Sequence, residues 1–239
     1  MKRKINFLSQ NQWIDGTLFT PENTHKKLCG VIFFHGLTSN EKRYLEFAEL
    51  LSKHRIIALT VNMRGHGTSE GDPSVLTIHD TISDGMAAYD FFLEQKYVDP
   101  NRVGLCGSSL GGAIAAIISS TRTAKSLLLR APSVYSDAMM TMTFHQIMAD
   151  ERDIFHVIQN PQDSLAIRAI SQFRGSLLVV TSELDAILPE TLTSQYFANA
   201  SATSHKEKLV MQGVSHPLDG QKNRDDFAKI MLEWFIKTL

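Results

Sequence analysis

Nucleophilic acyl transfer needs three side chains: a hydroxyl to attack, an imidazole to take its proton, and a carboxylate to hold the imidazole. The stretch GLCGSSLGGAI, residues 104–114, offers the hydroxyl. Within it, Gly107-Ser108-Ser109-Leu110-Gly111 has the spacing G-x-S-x-G, with a strand-like run before it and an Ala/Ile-rich helical run after it. A strand that turns at once into a helix forces the residue at the tip into an unfavourable backbone geometry, and its neighbours must be small to avoid collision. The tip is the third position, so Ser109 is the expected nucleophile and Ser108 should point elsewhere. Gly112 gives the helix further room to lie close on the sheet. A Gly-rich turn of this kind also suits phosphate, but the G-x-G-x-x-G spacing of a dinucleotide site is missing after the first strand.

The partners should come later in the chain. VVTSELDAILP offers Glu183 and Asp185, and LVMQGVSHPLDG offers His216. Glu183 sits closer to its strand, whereas at Asp185 the loop has had room to turn, so Asp185 is favoured as the acid. Asp219 follows His216 too closely to orient it and suits a cap of the last helix. The order Ser109, Asp185, His216 is that of a sheet enzyme with a nucleophile elbow. Of the nine histidines, only His216 is placed to be the base. His25, His54 and His205 read as surface residues, His79 as a helix starter, His66 as part of an RGHG loop, and His145 and His156 as a solvated helix face that could touch substrate. The developing oxyanion needs two N–H donors. One is the backbone N–H of Leu110, directly after the nucleophile. The other is expected from FFHGLTSN, at Leu37, with His35 bracing that loop.

The elements that must position these groups alternate along the chain. KINFL, WIDGTLFTP, LCGVIFFHG, RIIALTVN, RVGLCG, AKSLLLRAP, GSLLVVTS and EKLVMQG read as strands. Helices are expected over 41–54, 78–97, 110–120, 189–200 and 222–238. Buried strands alternating with helices imply a mostly parallel sheet covered on both faces, with an antiparallel start where the first two strands follow each other directly. Ligands of such sheets bind beyond the carboxyl ends of the strands. Between residues 133 and 175 the alternation lapses into two or three short helices. This segment is too short for a core of its own and is expected to lie over the site as a small cap within a single domain, 1–239. Its Met140, Phe144 and Met148 are expected to touch substrate, with simple packing of cap on core as the alternative.

The bulk numbers narrow the class. The chain has 239 residues, 43% hydrophobic and 21% charged, with a formal net charge of -1. That leaves no electrostatic footprint for nucleic acid. No apolar run is long enough to span a membrane, and the basic start lacks the apolar stretch of a signal peptide. A cytoplasmic protein is expected, with a homodimer left open. Cys29 and Cys106 read as small core residues and not as a disulfide pair, and no Cys/His spacing resembles a metal site.

HGLTSN, NMRGHGTSEG, DPNRVGLCGSSLGG, ELDAILP and GVSHPL, in this order, resemble the α/β-hydrolase superfamily over residues 30–239. Within it, the chain is most similar to cinnamoyl/feruloyl esterase-like and acyl-ester hydrolase branches with a small insertion after the sixth strand. The resemblance implies an eight-stranded, mostly parallel sheet, a Ser-His-acid triad and no cofactor. It also implies that Arg64 and the glycines of RGHG are structural. Many relatives carry Asp where this chain has Asn62, a position that usually supports the loop. The expected activity is hydrolysis of carboxylic esters of short to medium acyl or aryl acids. A thioesterase or amidase with the same triad, and a non-catalytic binding member of the fold, are the alternatives.

Overall fold

The computed structural model describes residues 1–149 and 160–239, so His156 and the end of the expected cap helix lie outside the described residues. Eight strands form one sheet: β1 (Lys2–Ser9), β2 (Gln12–Phe19), β3 (Leu28–Phe34), β4 (Ile57–Val61), β5 (Val98–Ser108), β6 (Ser126–Arg130), β7 (Ser176–Leu184) and β8 (His205–Ser215). Their order is β1-β2-β4-β3-β5-β6-β7-β8. β2 runs antiparallel to both β1 and β4, and the remaining pairs are parallel. The antiparallel start follows from the two-residue link Gln10-Asn11, where φ values of 47° and 66° give the backbone handedness that suits a tight hairpin.

The central strands are buried along almost their whole length, β4 and β6 completely, as a sheet covered on both faces requires. One apolar layer joins the sheet to α2 (Ile78–Leu93), α3 (Leu110–Thr121) and α5 (Leu165–Gln172). The other joins it to α1 (Leu45–Lys53) and α8 (Gln221–Thr238) through Phe47, Leu51, Phe227, Met231, Trp234 and Phe235. α3 starts at the nucleophile turn and buries every residue from Leu110 to Ile118, so the elbow is anchored in the deepest packed helix.

Several boundaries differ from the sequence reading. The first expected helix opens with a short 3-10 turn, Glu41–Arg43, capped by the Asn40 side chain. α2 stops at Leu93, because Val98 is already paired with Leu28 at the start of β5. Its start is set by Thr77 and Asp80, whose side chains bond each other's backbone N–H, and not by His79. The helix expected over 189–200 is two short ones, α6 (Glu190–Thr193) and α7 (Gln195–Asn199).

Between β6 and β7 the described residues are helical: a 3-10 turn at Asp137–Met139, α4 (Phe144–Ala149), another 3-10 turn at Pro161–Asp163, and α5. α5 buries Ala166, Ile167 and Ile170 in the same core layer as α3. Among the described residues, no helix is long and apolar enough to cross a membrane.

Candidate active site

The chain reverses its direction of travel across the sheet at β3: β4 lies to one side of it and β5 to the other. At such a point the loops leaving the carboxyl ends diverge and open a crevice. Ser109 follows β5 there, Leu37 follows β3, Asp185 follows β7, and His216 follows β8.

Ser109 sits at φ 54°, ψ −120°, a region that a residue with a side chain enters only under strain. The glycines around it make the turn feasible. A Cβ on Gly107 would meet Gly111 O at 2.0 Å, and one on Gly111 would meet Phe34 O at 2.1 Å. Ser109 N–H donates to Arg130 O at 3.0 Å, and Ser133 N–H donates to Ser109 O at 3.0 Å, so the elbow is tied to the end of β6.

His216 Nδ1 donates to Asp185 Oδ2 at 2.7 Å. This fixes the tautomer and leaves Nε2 for a proton in transit. Asp185 also accepts the N–H groups of Ile187 (3.0 Å) and Leu188 (2.8 Å) on its other oxygen. Burial works against its ionisation, but the His216 hydrogen bond and the two backbone N–H groups outweigh that and hold the carboxyl below its ordinary value. Glu183, the rival acid, faces away and accepts Gly213 N–H at 2.7 Å.

Ser109 and His216 line one cavity of about 300 Å³. The Ser109 hydroxyl is hydrogen-bonded to Ser133 Oγ at 3.1 Å and not to the imidazole. Ser133 was not anticipated, because nothing in the run RAPSVY marks a small polar residue after a strand as a neighbour of the nucleophile.

Leu37 lines the same cavity, and Leu110 is the first residue of α3, fully buried. Neither backbone N–H has a hydrogen-bond partner among the described residues. The loop carrying Leu37 is braced from below. His35 Nδ1 donates to Gly36 O at 2.8 Å, and its Nε2 accepts Met63 N–H at 3.0 Å. Complete burial lowers the His35 pKa to about 3, so this ring is neutral and serves as a strut. His66 Nε2 bonds Leu37 O at 2.6 Å and joins the RGHG loop to the same turn. Arg64 is locked by Asp84 at 2.6 Å and by Asp80 at 3.2 Å.

Of the three side chains expected to touch substrate, Met148 lines the cavity mouth. Met140 and Phe144 are instead buried in the core beside Leu76 and Ile78. Met140 comes before α4 and hands its carbonyl to His79 N–H at the start of α2, and Phe144 and Ile147 of α4 are buried, whereas Met148 near the end of α4 is 68% exposed.

The family model described as serine aminopeptidase, S33, matches residues 26–172. The uncharacterized protein Rv2307c of Mycobacterium tuberculosis is 26% identical over 222 residues, covering 91% of this chain and 75% of that protein. Est1E from Butyrivibrio proteoclasticus, solved with ferulic acid bound, superposes with a TM-score of 0.74 at 17% identity, over 97% of this chain and 99% of that one. Pyrococcus horikoshii acylaminoacyl peptidase does so with a TM-score of 0.75 at 18% identity, over 100% of this chain and 41% of that one. At these identities the two structures establish the shared fold.

Proposed function

Because the chain belongs to the serine aminopeptidase S33 family of α/β hydrolases, we propose that it is a serine hydrolase that cleaves carboxylic esters of short to medium acyl or aryl acids. Ser109 Oγ attacks the ester carbonyl as His216 Nε2 takes its proton, and the N–H groups of Leu37 and Leu110 receive the oxyanion. His216 then returns that proton to the departing alcohol. A water, deprotonated by the same imidazole, hydrolyses the acyl-enzyme and restores Ser109. Asp185 holds the ring and stabilises its charged form.

The observation that carries this reading is the 2.7 Å bond from His216 to Asp185, in a loop beside a strained serine that shares its cavity. The segment after β6 acts as a partial cover, with Met148 at the mouth, and the small volume favours short and medium chains over long ones. An aminopeptidase would need a carboxylate to receive the substrate's ammonium group. Among the described residues, the cavity lining holds Arg43, Arg130 and Arg224 and no Asp or Glu, which favours neutral or anionic esters.

The experiment is labelling with a fluorophosphonate probe alongside hydrolysis of 4-nitrophenyl butyrate. The wild-type protein should label and turn over, and Ser109→Ala should do neither. Turnover by Ser109→Ala at the wild-type rate would reject the assignment.

A further inference from the structure

Arg130, the last residue of β6, is 4% exposed yet lines the same cavity as Ser109 and His216. Its Nη1 donates to Ser108 Oγ at 3.2 Å, and its Nη2 donates to Ser182 Oγ and to Ser215 O, each at 3.1 Å. All three acceptors are neutral, and Nε is buried with no partner. Desolvation lowers the guanidinium's pKa, but an arginine keeps its proton in a protein.

The charges around it are already committed. Asp185 is bonded to His216. Asp219 faces Arg43 at 3.3 Å, and Glu46 is ion-paired with Arg224. The Tyr44 phenol, pushed up to about 12 by burial, is neutral. Among the described residues, then, Arg130 touches no carboxylate: Asp185 and Asp219 act on it only through space, and every group it bonds directly is neutral, a costly arrangement for a buried charge. Tyr44, Phe47, Leu218 and Phe227 supply apolar wall next to it.

We propose that Arg130 anchors a carboxylate carried by the substrate, so that the preferred ester bears a carboxylate on a short apolar chain beside the scissile bond. A single planar guanidinium whose direct partners are neutral offers a carboxylate a pair of N–H donors. This assignment rests on the ester hydrolysis proposed above, and it names the substrate class for that site.

The test compares monoethyl adipate, which carries a free carboxylate, with diethyl adipate, which is neutral. The wild-type kcat/KM ratio of monoester to diester should exceed that of Arg130→Gln by about tenfold, the usual worth of a charged hydrogen bond, with partial recovery in Arg130→Lys. An unchanged ratio overturns the anchor. Wild-type protein alone gives a second readout if the variants fail to fold: glutarate should bind by calorimetry at fixed ionic strength, and neutral glutaramide should not. Equal binding of both, or binding of neither, overturns the anchor. If the wild type cleaves neither ester but binds glutarate, and Arg130→Gln loses that binding, the hydrolase reading fails while the anchor stands.

Discussion

Ser109 Oγ rests 3.1 Å from Ser133 Oγ, bonded to a neutral hydroxyl and not to the imidazole that would activate it. The candidate nucleophile must therefore give up one hydrogen bond and rotate toward His216 before it attacks. A neutral hydrogen bond is worth about 0.5–1.5 kcal/mol net. Ser133→Ala removes this competitor and should raise kcat/KM for 4-nitrophenyl butyrate by about two- to tenfold. A fall of tenfold or more would mean that the Ser133 hydroxyl assists the reaction.

Asp185 carries the opposite kind of prediction. Asp185→Asn keeps the shape but takes away the charge and favours the wrong imidazole tautomer, so kcat should fall on the order of 10⁴-fold. The stability consequence depends on pH. The folded state holds the Asp185 carboxyl below its ordinary value, so its contribution is full above the unfolded value of about 3.9 and is lost as pH falls through the folded value. Urea midpoints of wild type and Asp185→Asn should accordingly converge as pH drops from about 6 toward 3. A gap that widens over that range would contradict the hydrogen-bonded, ionised carboxylate.

The strand runs and the glycine-bounded turn were readable because each is a local signal, apolar continuity and small residues around a turn, and the proposed order Ser109, Asp185, His216 rests on another, polar residues at strand ends. What escaped was whatever depends on the other strands. Arg130 was just the end of an apolar run, and its meaning comes from Ser108, Ser182 and Ser215 on three other strands, β5, β7 and β8. Met140 and Phe144 were apolar residues in a helical stretch, and composition does not tell which side of a short helix faces the core. What separates Asp185 from Glu183 lies between strands too: Asp185 meets His216 from the end of β8, while Glu183 takes Gly213 N–H across the β7–β8 pair.

The elbow's glycines give a folding test. A Cβ on Gly111 would stand 2.1 Å from Phe34 O and 2.7 Å from His35 O. Both are backbone atoms in the central strand or its exit, with no side-chain freedom to yield. Gly111→Ala should lower the unfolding free energy by about 3 kcal/mol, read from urea denaturation. Gly213→Ala is the control for any glycine replacement, since no atom lies within 4 Å of its added Cβ although φ is +68°. It should cost only the left-handed backbone penalty of about 1 kcal/mol. Equal losses in the two variants would argue against close packing of α3 on β3.

Asn62 bridges two acidic residues. Its Nδ2 donates to both oxygens of Asp15, at 3.1 and 3.0 Å, while its Oδ1 accepts Glu41 N–H at 2.8 Å. Asn62→Asp keeps the second bond but sets a carboxylate against a carboxylate. Lys4, 4.0 Å from Asp15 and already paired with Glu41, is the nearby cation, and Ser69 Oγ donates to Asp15 at 2.9 Å. Two carboxylates at this distance do not ionise together without cost, so the pair would hold a proton more tightly when folded than when unfolded. The penalty is then full at neutral pH and shrinks as pH falls through the raised value. Asn62→Asp should lose about 1–3 kcal/mol at pH 7.5 and a smaller amount at pH 5, by urea denaturation at both. A loss independent of pH would show that the substitution acts through the missing Nδ2 hydrogen bonds to Asp15 and not through charge.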